Sequence, residues 1–110
     1  MTQKLKGTTI IMTRGDTLKV TINLLKDDGT PYVPQTGDII RFAAKENYSD
    51  DSTVINKVIP NDTMLLQLDP SDTKRLAFGD YVYDVQITFA NGDVDTFIEK
   101  AKLRLTEEVA

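Results

Sequence analysis

The sequence predicts an all-β protein in which two antiparallel sheets pack face to face. Apolar and polar residues alternate along several short segments, which is the period of strands with one buried face. Turn-forming Gly, Pro, Asn and Asp residues separate these segments at intervals of roughly 8–12 residues, as in β-sandwiches. We expect about seven to eight short strands and a single helical turn near residues 70–76. A small closed barrel is the alternative architecture.

Length and composition indicate one domain without metal or thiol chemistry. The chain has 110 residues and a net charge of −4, with neither His nor Cys. We expect a flexible lead-in at 1–7, one domain at 8–106 and a tail at 107–110. The acidic balance argues against binding a phosphate backbone. The commonest general base and the commonest transition-metal ligands are missing, so we predict no cofactor and no metal site.

No segment indicates secretion or membrane insertion. Residues 1–7 lack the apolar core of a signal peptide. No apolar run approaches the roughly 20 residues that span a bilayer. We therefore expect synthesis in the cytoplasm and no membrane partner.

The strands are justified by their alternation. In segment 39–45, Ile40, Phe42 and Ala44 should face the core while Arg41 faces out. Segment 31–36 contains two prolines, so we expect an edge piece or a connection there. In chain order, the predicted strands are 8–13, 17–25, 39–45, 53–59, 64–68, 79–89, 94–98 and 100–106.

The clearest element is a hairpin over residues 79–99. Its first strand is apolar at every second position from Tyr81 to Phe89. Asn91-Gly92 predicts a two-residue turn with positive φ at both central positions.

The segment before this hairpin resembles a sandwich corner. Asp69 and Pro70 are the expected cap and first residue of a helical turn at 70–76. The pattern Leu76-x-x-Gly79-x-Tyr81 follows it. In immunoglobulin-like sandwiches, a Tyr near the start of the sixth strand hydrogen-bonds back to the preceding corner. The pattern therefore favours that version of the fold.

Several polar groups are candidates for a binding or catalytic site, and we interpret them as structural. Arg14-Gly15-Asp16 spells an integrin-binding tripeptide but directly precedes a strand, where Gly permits a turn. The loop carboxylates lack the spacing of a calcium loop. Asp84 would need Asp95 or Glu99 as a partner for glycoside hydrolysis, and we expect cross-strand ion pairing instead. We predict that the protein is not an enzyme.

The loop carboxylates without calcium-loop spacing are Asp27, Asp28, Asp50, Asp51, Asp62, Asp69 and Asp72.

Two tyrosines are candidates for a partner surface. Tyr32 and Tyr48 are expected in loops, whereas Tyr81 and Tyr83 should be core or corner residues. Aromatic residues are enriched at the centres of protein interfaces.

The order of four stretches resembles the immunoglobulin-like N-terminal domain of phage baseplate upper proteins and related small proteins of phage and prophage tail modules. The resemblance covers roughly residues 8–106. Each stretch alone is a common pattern of turns and strands, so the resemblance depends on the order and spacing of all four. The stretches are RGDT at 14–17 before an alternating strand, DDGTP at 27–31, IIRFAAK-ENYS at 39–49, and LAxGxYxYDVQ at 76–86 followed by ANGD at 90–93.

The resemblance implies a structural role in a virion tail or baseplate, with self-association or docking to other virion proteins, and no enzymatic residues. We expect strand addition at an exposed sheet edge, with Pro31 and Pro34 protecting one edge. The alternative is a module that binds glycans or receptors, which needs Tyr32 or Tyr48 exposed beside a carboxylate.

Overall fold

The protein folds as an all-β domain with a single short helix among the residues described. The computed structural model describes residues 9–26 and 28–107, without the side chains of residues 99 and 100. The predicted all-β class and short helical turn are confirmed, whereas residues 1–7 and 108–110 lie outside the described part. The elements are β1 (Ile10–Thr13), β2 (Leu18–Thr21), β3 (Ile39–Lys45), β4 (Ile55–Ile59), β5 (Leu65–Leu68), α1 (Pro70–Thr73), β6 (Gly79–Thr88) and β7 (Val94–Thr106).

The strands form two sheets with an immunoglobulin-like division. The five-stranded sheet has the order β1-β7-β6-β3-β4, and β2 pairs with β5 in the second sheet. Placing the second and fifth strands in one sheet and the third, sixth and seventh in the other is the arrangement of immunoglobulin-like sandwiches. One pair departs from the predicted antiparallel pattern, since β1 runs parallel to β7. These strands come from opposite ends of the chain, so no hairpin forces them to be antiparallel.

The core lies between the two sheets. Ile40, Phe42 and Ala44 of β3 are each 0% exposed, as their alternation predicted. Leu66 and Leu68 of β5 belong to the same buried cluster. One face of β3 therefore packs in the core, and the other face is left for polar residues such as Arg41.

The last strand is continuous where the sequence predicted two strands. β7 shifts its register against β6 on either side of Val85. Phe97 and Ile98 are consecutive yet both buried, and Ala101 resumes the inward alternation. These β-bulges change the phase of the apolar pattern without ending the strand.

The hairpin turn between β6 and β7 also differs from the prediction. Phe89 N donates to Asp93 O at 2.8 Å, and Gly92 N donates to Phe89 O at 2.9 Å. Gly92 has φ +95°, whereas Asn91 is not among the residues with positive φ. A three-residue loop with one left-handed Gly replaces the predicted two-residue turn.

The predicted edge piece lies beside the chain that continues β2. β2 ends at Thr21 rather than at the predicted Leu25, but Tyr32 N donates to Leu24 O at 2.8 Å. Leu25 forms an isolated bridge with Pro31. The proline-containing segment therefore lines this side of the smaller sheet.

The predicted corner is present before β6. α1 begins at Pro70 as expected and ends at Thr73 rather than at 76. The Tyr81 hydroxyl donates a 2.6 Å hydrogen bond to Ala77 O. The contact confirms the interpretation of the Leu76-x-x-Gly79-x-Tyr81 pattern.

Candidate functional site

An open concavity lies on the face of the five-stranded sheet that points away from the core. Its volume is about 500 Å³, and β3, β4, β6 and the loop at 46–53 provide its lining. Paired residues share a face of a sheet, so the strand register fixes its floor. Across the strands, Arg41 lies between Val58 and Gln86, Ala43 lies between Asn56 and Asp84, and Lys45 lies beside Val82.

One lining residue of the concavity, Ala43, has a small side chain. Ala43 is half-buried, with the long side chains of Arg41 and Lys45 two residues away on the same face of β3. Asn56 and Asp84 are its partners on β4 and β6. The methyl group of Ala43 therefore leaves space between four polar side chains.

The loop between β3 and β4 forms one wall and is held by hydrogen bonds. Lys45 Nζ donates to the Asp50 carbonyl at 2.6 Å, and Asn47 N donates to Asp50 Oδ2 at 3.0 Å. Tyr48, Asp51 and Thr53 of this loop line the concavity. The wall is thus fixed to the floor through Lys45.

The floor is ordered by a bond between neighbouring strands. Arg41 Nη1 donates to Asn56 Oδ1 at 2.8 Å. A guanidinium carries further N–H donors, and the Asn56 amide also has its own N–H donors. The lining includes two cations, Arg41 and Lys45, and two carboxylates, Asp51 and Asp84. Among the lining residues that the structure describes, positive and negative side chains are therefore equal in number.

The structure separates the two predicted surface tyrosines. Tyr48 is 47% exposed and lines the concavity beside Asp51. Tyr32 lines a different depression of about 510 Å³ near Met64. The two tyrosines therefore do not form one surface.

Tyr32 is held by a carboxylate and two aromatic rings. Its hydroxyl donates to Asp38 Oδ2 at 2.6 Å, and its ring packs on Phe89 and Phe97 with centroids 6.1 and 5.4 Å away. Burial, followed by the hydrogen bond to Asp38, raises the pKa of Tyr32 to about 12. These contacts give Tyr32 a structural role.

The candidate carboxylates for glycoside hydrolysis, Asp84 and Asp95, do not lie on the same face of the larger sheet. Asp84 lies opposite Ala43 on the outer face, whereas Asp95 is the partner of the buried Ile87. The side chain of Glu99 lies outside the described residues. A cross-strand ion pair is present at Asp80, a residue that was not a candidate, whose Oδ1 lies 2.8 Å from Arg104 Nε. The pairing expected at Asp84 stays a prediction.

Asp28 is a loop carboxylate that binds a neighbouring residue of its own chain. Asp28 accepts hydrogen bonds from Thr30 N at 3.0 Å and Thr30 Oγ1 at 2.6 Å, and the hydroxyl bond contributes most to lowering its pKa. Asp27 lies outside the described residues. Over the part of the chain that the structure covers, no three acidic residues form a group that could hold a metal ion.

The Arg14-Gly15-Asp16 tripeptide forms a turn that is attached to the corner. Arg14 Nη1 donates to Leu76 O at 3.1 Å, and its guanidinium carbon lies 5.0 Å from the centroid of the Phe78 ring. Gly15 has φ +84°, and its N donates to Thr73 Oγ1 at 2.8 Å. These contacts give the tripeptide a structural explanation.

Sequence reasoning missed an ion-pair cluster at the edge strand β4. Lys57 Nζ lies 2.9 Å from Asp72 Oδ2 and 3.5 Å from Asp69 Oδ2. The hydrogen bond to Asp72 is the largest cause that raises the pKa of Lys57. The signal was that Lys57 alternates in phase with Ile55 and Ile59, both of which are buried.

A comparison with protein-family models finds no match for this chain, and a comparison with curated proteins finds none either. Within the residues covered by the structure, no helix is long and apolar enough to cross a membrane.

Proposed function

We propose that this chain is a non-enzymatic structural module of a phage or prophage tail or baseplate, which assembles with other virion proteins through an edge of its five-stranded sheet. The observation that carries the proposal is the difference between the two edges of that sheet. β4 has a charged residue turned toward the core side, whereas β1 contains only uncharged side chains.

The β4 edge is guarded against pairing. Inward-pointing charges on an edge strand disfavour addition of a further strand. Lys57 is such a charge, and its contacts with Asp69 and Asp72 keep it beside α1. The prolines at 31 and 34 give similar protection along the chain that continues β2.

The β1 edge offers backbone groups for pairing. Arg14 N donates to Thr106 O at 3.0 Å, so the backbone groups of Arg14 face β7. Backbone groups alternate in direction along a strand, so those of Met12 also face β7 and those of Ile11 face away. The Ile11 side chain is 62% exposed. A partner strand would find both hydrogen-bonding groups and an apolar contact there.

The fold agrees with what the resemblance to tail-module proteins implies. The immunoglobulin-like strand order and the hydrogen bond between Tyr81 and Ala77 are both expected of that class. A binding experiment with tail proteins tests the proposed assembly function.

The experiment is co-purification of the tagged chain with the proteins encoded by tail genes beside its own gene. The wild-type chain should retain at least one tail protein. Ile11→Thr should bind at most about fivefold more weakly, because it loses part of the apolar contact but keeps the backbone N–H. Ile11→Pro should bind at least about tenfold more weakly, because proline removes the donor that an added strand would use.

Two outcomes would count against the proposal. Binding by Ile11→Pro at the wild-type level would overturn the β1 interface. Failure of the wild-type chain to bind any of these tail proteins would overturn the assembly function itself. Because Pro is tolerated on edge strands where its N faces solvent, thermal unfolding of Ile11→Pro should resemble that of Ile11→Thr.

A further inference from the structure

We propose that the concavity around Ala43 is a binding site for a neutral saccharide of one or two rings. The site lies on the outer face of β3, β4 and β6, whereas the proposed assembly edge is β1. Saccharide binding would therefore be a second activity, separate from assembly.

The size and the shape of the concavity fit such a ligand. Its volume is about 500 Å³, within the range of about 300–1,000 Å³ that is typical of small-molecule sites. Ala43 has the smallest side chain of the described lining residues. A saccharide ring above Ala43 would be surrounded by Arg41, Asn56 and Asp84, which occupy neighbouring positions of the same face.

The chemistry of the lining matches hydroxyl groups. Guanidinium and amide groups donate hydrogen bonds, while amide oxygens and carboxylates accept them, so adjacent hydroxyls can be held in both directions. Arg41, Asn56 and Gln86 supply donors, and Asp51 and Asp84 supply acceptors.

The charge balance favours a neutral ligand over an ion. The described lining contains the positive charges of Arg41 and Lys45 and the negative charges of Asp51 and Asp84. Lys45 is already bonded to the Asp50 carbonyl at 2.6 Å. A phosphate or an ammonium group would therefore meet like charge as well as opposite charge.

An aromatic ring stands beside the acceptors. Tyr48 is 47% exposed and lines the same concavity as Asp51. Aromatic rings carry an apolar face, against which the C–H face of a sugar can pack. The loop that bears Tyr48 is held by Asn47 N and Asp50 Oδ2 at 3.0 Å, so little ordering is needed on binding.

The experiment is titration of the ¹⁵N-labelled chain with maltose, cellobiose, lactose and chitobiose, followed by amide chemical shifts. At least one sugar should give saturable shifts at residues 41–45, 48–56 and 82–86, with a dissociation constant of about 1 mM for such an open site. Glucose 6-phosphate should bind more weakly than the best neutral sugar.

Three variants make the test specific. Ala43→Leu fills the depression from the solvent side and should weaken binding at least about tenfold, since the ring loses its position. Tyr48→Ala should weaken binding about fivefold through loss of the aromatic face. Ala77→Leu makes the same substitution at an exposed residue that does not line the concavity, and it should bind like the wild type.

Saturable shifts that Ala43→Leu abolishes would support the site. The proposal is overturned if none of the four sugars gives saturable shifts, or if Ala43→Leu binds as tightly as the wild type. Retention of tail proteins by Ala43→Leu would show that the assembly function is independent of the concavity.

Discussion

The Tyr81 hydroxyl donates a hydrogen bond of 2.6 Å to the carbonyl oxygen of Ala77. This bond spans four residues and closes the corner between α1 and β6. Desolvation is the first cause that raises the pKa of Tyr81 above its ordinary value, and the Tyr81 side chain belongs to the core cluster. The corner therefore ties the helical turn to the central strand of the larger sheet.

Replacement of Tyr81 by Phe should destabilise the domain by about 1–1.5 kcal/mol, because the ring is kept while the hydrogen bond is lost. Urea unfolding monitored by circular dichroism measures this free energy. Tyr48→Phe, at an exposed loop position, should change it by less than about 0.5 kcal/mol. Equal effects of the two substitutions would contradict a structural role for the corner.

Of the four glycines whose surroundings the structure describes, Gly37 is the one at which a side chain should be tolerated least. It has φ +94°, and an added Cβ would lie 2.8 Å from the Cβ of Ala90. Gly37→Ala should cost about 2–4 kcal/mol, combining backbone strain with a steric clash. Gly29 has a similar φ of +85°, but an added Cβ meets no described atom within 4 Å. Gly29→Ala should therefore cost only about 1 kcal/mol. Thermal unfolding of both variants measures the difference in their stability.

The Lys57 cluster should contribute modestly to stability and strongly to solubility. Lys57→Met keeps the chain length but removes the ion pairs to Asp69 and Asp72, so the free energy of unfolding should fall by about 0.5–1 kcal/mol. The unguarded β4 edge should also promote self-association, which size-exclusion chromatography detects. Lys74→Met, at an exposed position just after α1, serves as the control. Monomeric Lys57→Met at high concentration would contradict the guarding role.

Stability should decline in alkaline solution through Tyr32. The folded chain raises the pKa of Tyr32 from 10.0 to about 12, so the folded state keeps a proton that the unfolded state has lost. The stabilisation is complete below pH 10 and decreases between pH 10 and about 12. The slope for one tyrosine is at most about 1.4 kcal/mol per pH unit. Burial also raises the pKa of Tyr83 to about 12, so Tyr32→Phe should reduce but not abolish the pH dependence measured by urea unfolding. Parallel curves for the two proteins would refute the assignment.

The elements with regular alternation were predictable from the sequence. β3 spans Ile39–Lys45 as expected, because each inward residue is apolar and turn residues flank the strand. The corner was also predictable, since Leu76, Gly79 and Tyr81 are close in sequence and their spacing reflects local geometry.

The remaining differences arise where long-range pairing decides the structure. The bulges in β7 depend on its register against β6. The apolar pattern of β7 alone does not predict this register. The Asn91-Gly92 turn closes through Phe89 and Asp93, so its type depends on where the flanking strands stop pairing.

The concavity could not be predicted from the sequence, because it also depends on long-range strand pairing. In the sequence, nothing distinguishes Ala43 from other strand residues. The register of β3 with β4 and β6 places Asn56 and Asp84 on either side of it. Sequence reasoning did identify Tyr48 as a surface residue, because aromatic residues in polar loops are seldom fully enclosed. It could not separate Tyr48 from Tyr32, whose packing against Phe89 and Phe97 joins distant segments.

The most direct test of the proposed structural role is quantitative mass spectrometry of phage particles purified from the bacterial culture that carries this gene. We predict that the chain co-purifies with tail proteins in a fixed whole-number ratio and stays bound through a high-salt wash, because strand pairing depends little on surface charge. Recovery of the chain only in the particle-free fraction would contradict its assignment as a tail or baseplate component.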